Sequence, residues 1–291
     1  MKLNVYAIDP DLTPPKLILQ ISLYIITFLT ISLAGSTYPL TYWDDWFRVL
    51  ASGFYFSIPL MLILTAHEMG HYLMAVKYEV KSSLPWFIPF PTLFGTAGAY
   101  IRMKSSIPNR QALFDIGAAG PLAGFIVATI FILIGLPFSD STSAGLDLDI
   151  PNIILGESLL FKFFSWLLLR GATDPDTQYI IHPTAFAGWV GYLVTFMNLM
   201  PVGQLDGGHV IYAMFGKKHQ WFAISFFLLL LPLIFVFPGW GVWAILMLFL
   251  GLKHPAVFFD YDPLDTKRYY LGYCIMAVFV LTFMPTPFHF N

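Results

Sequence analysis

Charged residues are scarce in this chain. They make up 11% of its 291 residues, whereas hydrophobic residues make up 57%, and soluble domains usually carry about a quarter charged residues. The mean hydropathy of +0.71 agrees with this imbalance. The composition excludes an ordinary soluble domain and predicts an integral membrane protein surrounded by a lipid bilayer. A formal net charge of -2, without a basic patch, excludes nucleic acid as a partner.

Cysteine and glutamate are also rare. The single cysteine, Cys274, can form no internal disulfide, and its isolation excludes a zinc site built from cysteine thiolates. The glutamates are Glu68, Glu79 and Glu157. Any chemistry that depends on a glutamate therefore has few candidate residues in this chain.

Long hydrophobic runs predict the fold class. Because a membrane-spanning helix needs about 20 apolar residues, we predict an all-α polytopic membrane protein with about six to seven transmembrane helices. We expect one transmembrane domain over 1–291, with a core at about 47–216 and C-terminal helices at about 220–286. The candidate helices cover 17–34, 47–76, 112–136, 184–200, 221–237, 242–252 and 271–284.

The distribution of basic residues predicts the orientation. Residues 77–110 contain Lys and Arg at several positions and Glu79 as their one acidic residue, whereas 137–156 contain no Lys or Arg. Since basic loops remain in the cytoplasm, the helix over 47–76 runs inward and ends on the cytoplasmic side.

One apolar stretch cannot be a continuous helix. Residues 84–102 are interrupted by several prolines and by Gly95 and Gly98. Non-helical backbone at membrane depth must be covered by protein or line a wet cavity. We therefore predict a membrane-associated β-hairpin or re-entrant loop after the helix over 47–76.

A metal-binding motif, His67-Glu68-Met69-Gly70-His71, lies inside that inward-running helix. Histidines at i and i+4 share one helical face, and the intervening glutamate can act as a base toward a zinc-bound water. This composition produces the motif by chance roughly twice in a thousand chains of this length. The alternative interpretation is a polar helix end solvated at the cytoplasmic surface.

A third zinc ligand is needed, because a catalytic zinc ion usually has three protein ligands and one water. Glu79 follows the motif too closely, and Glu157 falls on the outer side. Asp206 is the remaining candidate, since Pro201 breaks a helix at a similar cytoplasmic depth just before it. The alternative is an ordinary Asp-Gly turn in which Asp206 only caps the next helix.

These motifs resemble the site-2 protease family of intramembrane zinc metalloproteases, peptidase family M50. The order and spacing match over roughly 47–216. The residues that carry the resemblance are His67-Glu68-x-x-His71, Ala119-Gly120-Pro121-Leu122-Ala123-Gly124, and Asn198-x-x-Pro201 with Leu205-Asp206-Gly207.

The resemblance implies residue roles. His67, His71 and Asp206 would bind one Zn²⁺ ion, Glu68 would be the catalytic base, and Asn198 would assist at the substrate or oxyanion. The stretch 84–102 would correspond to the family's membrane-associated hairpin.

Other parts of the chain narrow the expected branch and the substrate contacts. We assign Gly95, Gly98 and Pro201 to substrate binding. The interval between residues 136 and 184 is too short for the PDZ domain that many family members insert, so we expect the branch without that domain.

The sequence thus predicts an intramembrane zinc metalloendopeptidase that cleaves transmembrane segments of membrane proteins. A non-catalytic membrane zinc-binding protein or zinc transporter is the alternative, and it would use the same ligands without needing Glu68. We expect a multi-pass protein of a prokaryotic plasma membrane, rather than of a plastid, with the active site toward the cytoplasm. The sequence predicts no particular oligomeric state.

Other residues have simpler interpretations. Gly117, Gly120 and Gly124 predict close helix packing, and Asp115 would stabilise a helix N-terminus. His209 is either a further ligand or a residue that faces the cytoplasm. Isolated positions at helix ends or in loops are predicted for His182, His219 and His254.

Overall fold

The computed structural model describes residues 13–37, 45–143, 153–169, 177–255, 257 and 263–290. Residues 144–152 of the predicted outer loop lie outside these ranges. The α-helices are α1 (Pro14–Ala34), α2 (Trp46–Ser52), α3 (Phe54–Lys77), α4 (Arg110–Gly135), α5 (Leu159–Leu168), α6 (Pro183–Asn198), α7 (Asp206–Phe215), α8 (His219–Leu233), α9 (Gly239–Leu250) and α10 (Thr266–Thr282). The strands are β1 (Trp86–Pro89), β2 (Thr96–Tyr100), β3 (Asp140–Ser143), β4 (Ile153–Leu155), β5 (Thr177–Ile180) and β6 (Phe288–Phe290). Short 3₁₀ turns follow α4 and α7 at Leu136–Phe138 and Gly216–Lys218.

Local sequence signals set several helix ends. Pro14 occupies the first turn of α1, where its missing N–H group needs no intrahelical partner. The Asn109 side chain caps α4 by accepting from the Ala112 amide at 2.9 Å. Such side-chain caps satisfy the otherwise unpaired amides of a first turn.

Two described helices are long and apolar enough to cross a membrane, namely α1 and α4 extended to Phe138. The pair α2 and α3, which is bent by 48°, would be a third span if counted as one. The described residues therefore establish two to three candidate spans, and the predicted six to seven are not established. The other four predicted spans correspond to helices of 12 to 17 residues.

The prediction of one continuous helix over 47–76 was wrong, because the helix is broken at one position. It is interrupted at Gly53, between α2 and α3. A Cβ atom at Gly53 would lie 1.8 Å from the Ser32 carbonyl oxygen of α1. The break thus occurs where α1 touches the α2–α3 junction backbone to backbone.

A β-hairpin follows α3, in agreement with the sequence. Strands β1 and β2 pair antiparallel, with Trp86 opposite Tyr100 and Phe87 opposite Ala99. Among the described residues, these two strands form a sheet by themselves. One edge of β2 therefore has no strand partner in this part of the chain.

Two further two-stranded sheets were not predicted. Strand β3 pairs with β5, and β4 pairs with β6, both antiparallel. The fold is therefore mostly helical rather than all-α. Because β3 follows α4 and β5 precedes α6, the first pair closes the connection between these two helices.

Helix α4 lies at the centre and packs against α3, α6 and α7. Small residues bring the backbones together: a Cβ atom at Gly188 would lie 2.5 Å from the Ile132 side chain, and one at Gly191 would lie 2.6 Å from Ala128. Trp189 and Tyr192 of α6 are fully buried in the adjoining core. Polar residues of α3 and α7 meet beside α4 inside this helix packing.

Candidate metal centre

Helix α3 carries the histidine motif into the protein interior. His67, Glu68 and His71 each expose 6% or less of their surface. The Nε2 atoms of His67 and His71 lie 3.1 Å apart, because residues four apart lie on the same side of a helix. The solvated helix end considered from the sequence is therefore wrong for these residues.

Asp206 reaches the same point from α7, of which it is the first residue. Its Oδ2 atom lies 3.3 Å from Nε2 of both His67 and His71. One potential ligand atom from each of these residues lies within 4.8 Å of the others. The structure thus brings together the three residues that the sequence proposed as ligands.

A tight turn between α6 and α7 makes this approach possible. Gly203 has a φ of 54°, a backbone conformation that favours glycine. A Cβ atom at Gly207 would lie 1.9 Å from the Leu199 carbonyl oxygen, and one at Gly208 would lie 2.6 Å from that of Gly203. The Asp206-Gly207-Gly208 sequence lets α7 begin directly against the end of α6.

The chemistry of the donor set fits zinc. Nδ1 of His71 donates to the Ile116 carbonyl oxygen at 2.7 Å, which leaves the Nε2 lone pair directed toward Asp206. A hydrogen bond from the ring nitrogen that does not bind the metal fixes the tautomer and orientation of a metal-binding imidazole. Two imidazole nitrogens and one carboxylate oxygen are a common protein ligand set for catalytic zinc.

Glu68 and Asn198 border this cluster. The backbone of Ile101, just beyond β2, lies beside the Glu68 carboxylate. Nδ2 of Asn198, the last residue of α6, lies 3.4 Å from Nε2 of His67. A base and an amide donor are therefore available beside the three potential ligands.

The glycines of α4 form the wall of the centre. A Cβ atom at Gly120 would lie 2.1 Å from Nε2 of His71, and one at Gly124 would lie 3.2 Å from Nδ1 of His67. The sequence had assigned these glycines to helix packing. In the structure, the imidazole rings of His71 and His67 pack directly against these glycines.

The three residues proposed to bind substrate have different surroundings. Gly95 is buried, and a Cβ atom there would lie 2.4 Å from the Thr30 carbonyl oxygen of α1. A Cβ atom at Gly98 would meet open space. Pro201 lines an apolar cavity of about 300 Å³ together with residues of α7, α8 and α10. Of the three, Gly98 and Pro201 border accessible space.

Asp115 has a role that the sequence did not indicate. Its carboxylate accepts two hydrogen bonds from Arg268 of α10, both at 2.7 Å, and a third from the Tyr78 hydroxyl at 2.5 Å. Burial raises the pKa of Tyr78, and its bond to Asp115 acts in the same direction. Pairing across 153 residues could not be read from local charge spacing.

The mostly helical fold, the two to three candidate spans and the buried His-Glu-x-x-His motif are together typical of membrane metallopeptidases. The chain belongs to peptidase family M50, whose sequence model matches residues 55–233. This range begins at α3 and ends at the last residue of α8, so it contains the complete candidate metal centre.

Curated relatives agree with this assignment. A probable zinc metalloprotease EGY1, chloroplastic, of Arabidopsis thaliana is 41% identical over 157 residues, which cover 54% of this chain and 28% of that protein. A probable zinc metalloprotease EGY2, chloroplastic, of Oryza sativa subsp. indica is 30% identical over 251 residues, covering 85% and 45%. A probable zinc metallopeptidase EGY3, chloroplastic, of Arabidopsis thaliana is 28% identical over 296 residues, covering 94% and 50%. The chain spans half or less of the length of these relatives.

Proposed function

We propose that this protein is an intramembrane zinc metalloendopeptidase that cleaves transmembrane segments of membrane proteins. The observation that carries the proposal is the convergence of His67, His71 and Asp206 beside Glu68 within packed, apolar helices. A buried cluster of ionisable groups is costly at membrane depth and indicates function.

His67, His71 and Asp206 would hold the zinc ion, which when bound supplies a Lewis acid toward the scissile carbonyl and the attacking water. Glu68 accepts the proton from that water and then passes it to the leaving amine. The Asn198 side chain donates a hydrogen bond to the developing oxyanion. Their burial limits access of bulk water to the reaction.

The β2 edge is the proposed substrate site. A transmembrane helix hides its carbonyl groups in hydrogen bonds, so the substrate must become extended before attack. An extended peptide can add to an exposed strand edge through main-chain hydrogen bonds. Strand β2 leads directly to Ile101, whose backbone lies beside the Glu68 carboxylate, so a strand added there would approach the base.

We further propose one domain over 1–291 with six to seven transmembrane spans. In this topology, the shorter described helices cross the membrane together with the residues that flank them. The core at about 47–216 would contain the site, and the helices at about 220–286 would support it. The centre would lie toward the cytoplasmic side. The chloroplastic names of the relatives favour a plastid membrane over the prokaryotic plasma membrane expected from the sequence.

The decisive experiment replaces the proposed base. In purified protein, Glu68→Gln should retain one zinc per chain and lower cleavage of a single-span model substrate by at least about a hundredfold, because base catalysis contributes 10²–10⁴-fold. Asp206→Asn should lose zinc as well as cleavage. The exposed outer residue Glu157 offers the matched control, and Glu157→Gln should change neither quantity.

The rival functions give different results in the same variants. A zinc transporter would carry zinc into vesicles in both the wild type and Glu68→Gln. A non-catalytic zinc protein would leave the substrate intact in every variant. Undiminished cleavage by Glu68→Gln would refute the proposed base.

A further inference from the structure

Helix α7 carries a stripe of residues that links the metal centre to a distant loop. Asp206, His209 and Tyr212 lie at intervals of three, so they follow one side of the helix. Asp206 contacts His67 and His71. The other two residues contact His254, which lies between α9 and α10.

His254 makes two contacts with α7. Its Nε2 atom lies 2.7 Å from Nδ1 of His209, and its ring stacks on Tyr212 with centroids 4.4 Å apart and planes at 22°. Nδ1 of His254 lies 2.6 Å from the Pro255 carbonyl oxygen, which can only accept. In its neutral form, His254 therefore donates through Nδ1 and accepts from His209 at Nε2.

The first turn of α7 is also packed against α4. A Cβ atom at Gly117 would lie 2.8 Å from Cβ of His209 and 3.3 Å from the carbonyl oxygen of Asp206. Helix α7 has only ten residues, and Leu205 provides no side-chain cap at its start. The contacts with α4 and His254 thus restrict rotation of the short helix that carries the Asp206 carboxylate.

A third histidine completes the surroundings of His254. The ring of His219 lies 5.8 Å from that of His254 and 6.2 Å from that of Tyr212. His219 exposes 1% of its surface, and its Nε2 has no hydrogen-bond partner among the described residues. The group of described residues that fits a metal ion consists of His67, His71 and Asp206 and does not include His209, His219 or His254.

We infer that His254 is a positioning residue for the metal ligand Asp206, acting through its hydrogen bond to His209 and its stacking on Tyr212. The inference rests on the proposed function, in which Asp206 binds zinc. Metal ligands must be held within about 0.5 Å of productive geometry by such supporting contacts. His254 thereby supports the metal centre without touching the ion.

The inference can be tested with substitutions of His254 that place a hydrogen-bond acceptor at different positions. In Gln, the side-chain oxygen can occupy the position of the imidazole Nε2, whereas the shorter Asn places it near Nδ1. Zinc affinity of the full chain is measured by competition with a chelator. We expect H254A and H254N to bind zinc at least about tenfold more weakly than the wild type, which is the lower end of the effect of losing a residue that supports a metal ligand. H254Q should recover most of the wild-type zinc affinity.

Three further measurements separate positioning from a general structural role. Thermal unfolding without zinc should be similar for H254N and H254Q, which are closely matched in chemistry. Because His254 acts through His209, the double variant H209A/H254A should bind zinc no more weakly than whichever single variant, H209A or H254A, has the larger loss of affinity. In cleavage of the model substrate, H254N should lower kcat with KM unchanged.

The outcomes also separate this inference from the proposed function. Wild-type zinc affinity in H254A, equal affinities of H254N and H254Q, or additive losses in the double variant would overturn the positioning role. Two zinc ions per wild-type chain would do the same, since the histidine cluster would then be a metal site. A protein that binds zinc through Asp206 but cleaves no substrate would defeat the proposed function and leave the role of His254 intact.

Discussion

At the scale of single residues, the candidate metal centre depends on glycines, which lack a Cβ atom, as much as on its ligands. Gly120 and Gly124 leave space on α4 for the imidazoles of His71 and His67. Because His71 is also held by the Ile116 carbonyl, its ring cannot move away from α4 without losing that hydrogen bond. The spacing of these glycines predicts close packing, but what packs against them is decided by the approach of α3.

A single added methyl group should therefore weaken metal binding. In Gly120→Ala, the new Cβ atom would lie 2.1 Å from Nε2 of His71, so the ring must shift. We expect zinc affinity to fall at least about tenfold, as for other losses of ligand support, in a chelator competition assay. Gly124→Ala is the matched control with a smaller expected loss, since its nearest approach to His67 is 3.2 Å. Equal affinity of Gly120→Ala and wild type would contradict the packing argument.

At the scale of secondary-structure elements, the hairpin presents one strand edge to the centre. The Arg102 carbonyl accepts from the Ser83 amide at 2.9 Å, so residue 102 faces the first arm of the hairpin. The N–H and C=O groups of neighbouring residues in a strand point to opposite edges. Ile101 and Ala99 consequently direct their amides to the outer edge, and the Ile101 backbone lies beside Glu68 there.

Proline at the outer edge should impair substrate addition. Ala99→Pro removes an outward amide without removing a bond to β1, so we expect cleavage of the model substrate to fall at least about tenfold while zinc content stays at one per chain. Ala99→Gly keeps the amide and should retain cleavage. A proline scan over 84–102 with no effect on cleavage at any position would exclude strand addition at this hairpin.

At the scale of the whole molecule, distant segments hold the site helices in place. Arg268 at the start of α10 makes a two-pronged bond to Asp115 of α4, and Tyr78 after α3 joins them. Paired guanidinium–carboxylate bonds are strong and directional. Together with the contact between His254 and α7, they attach the C-terminal part of the chain to all three helices that form the metal centre.

The proposed orientation can be tested on the whole protein in sealed vesicles. Cys274, an exposed residue, is first replaced by Ser, and E157C and K81C are then introduced separately at exposed positions. We expect an impermeant maleimide added from the outer side to label E157C directly and K81C only after permeabilisation. The reverse pattern would invert the proposed topology, and labelling of both before permeabilisation would place both loops on one side.

The sequence by itself determined which residues of this protein are candidates for metal binding and catalysis. Few residues in an apolar chain can bind zinc or act as a base, so His67, Glu68 and His71 could be identified from their spacing, and Asp206 from its place after Pro201. Apolar runs located the helices because burial in lipid leaves a direct signature in composition. The helix-incompatible stretch over 84–102 likewise predicted the hairpin.

The tertiary structure decided which residues meet. The break at Gly53, the short helix that begins at Asp206, the pairing of Asp115 with Arg268, and the contact of His254 with His209 all depend on segments far apart in the chain. Such contacts arise from the packing of whole helices and from backbone pairing between distant strands, and neither leaves a periodic pattern in the local sequence. The candidate ligands could therefore be named from the sequence, whereas the groups that contact and orient them could be found only in the folded protein.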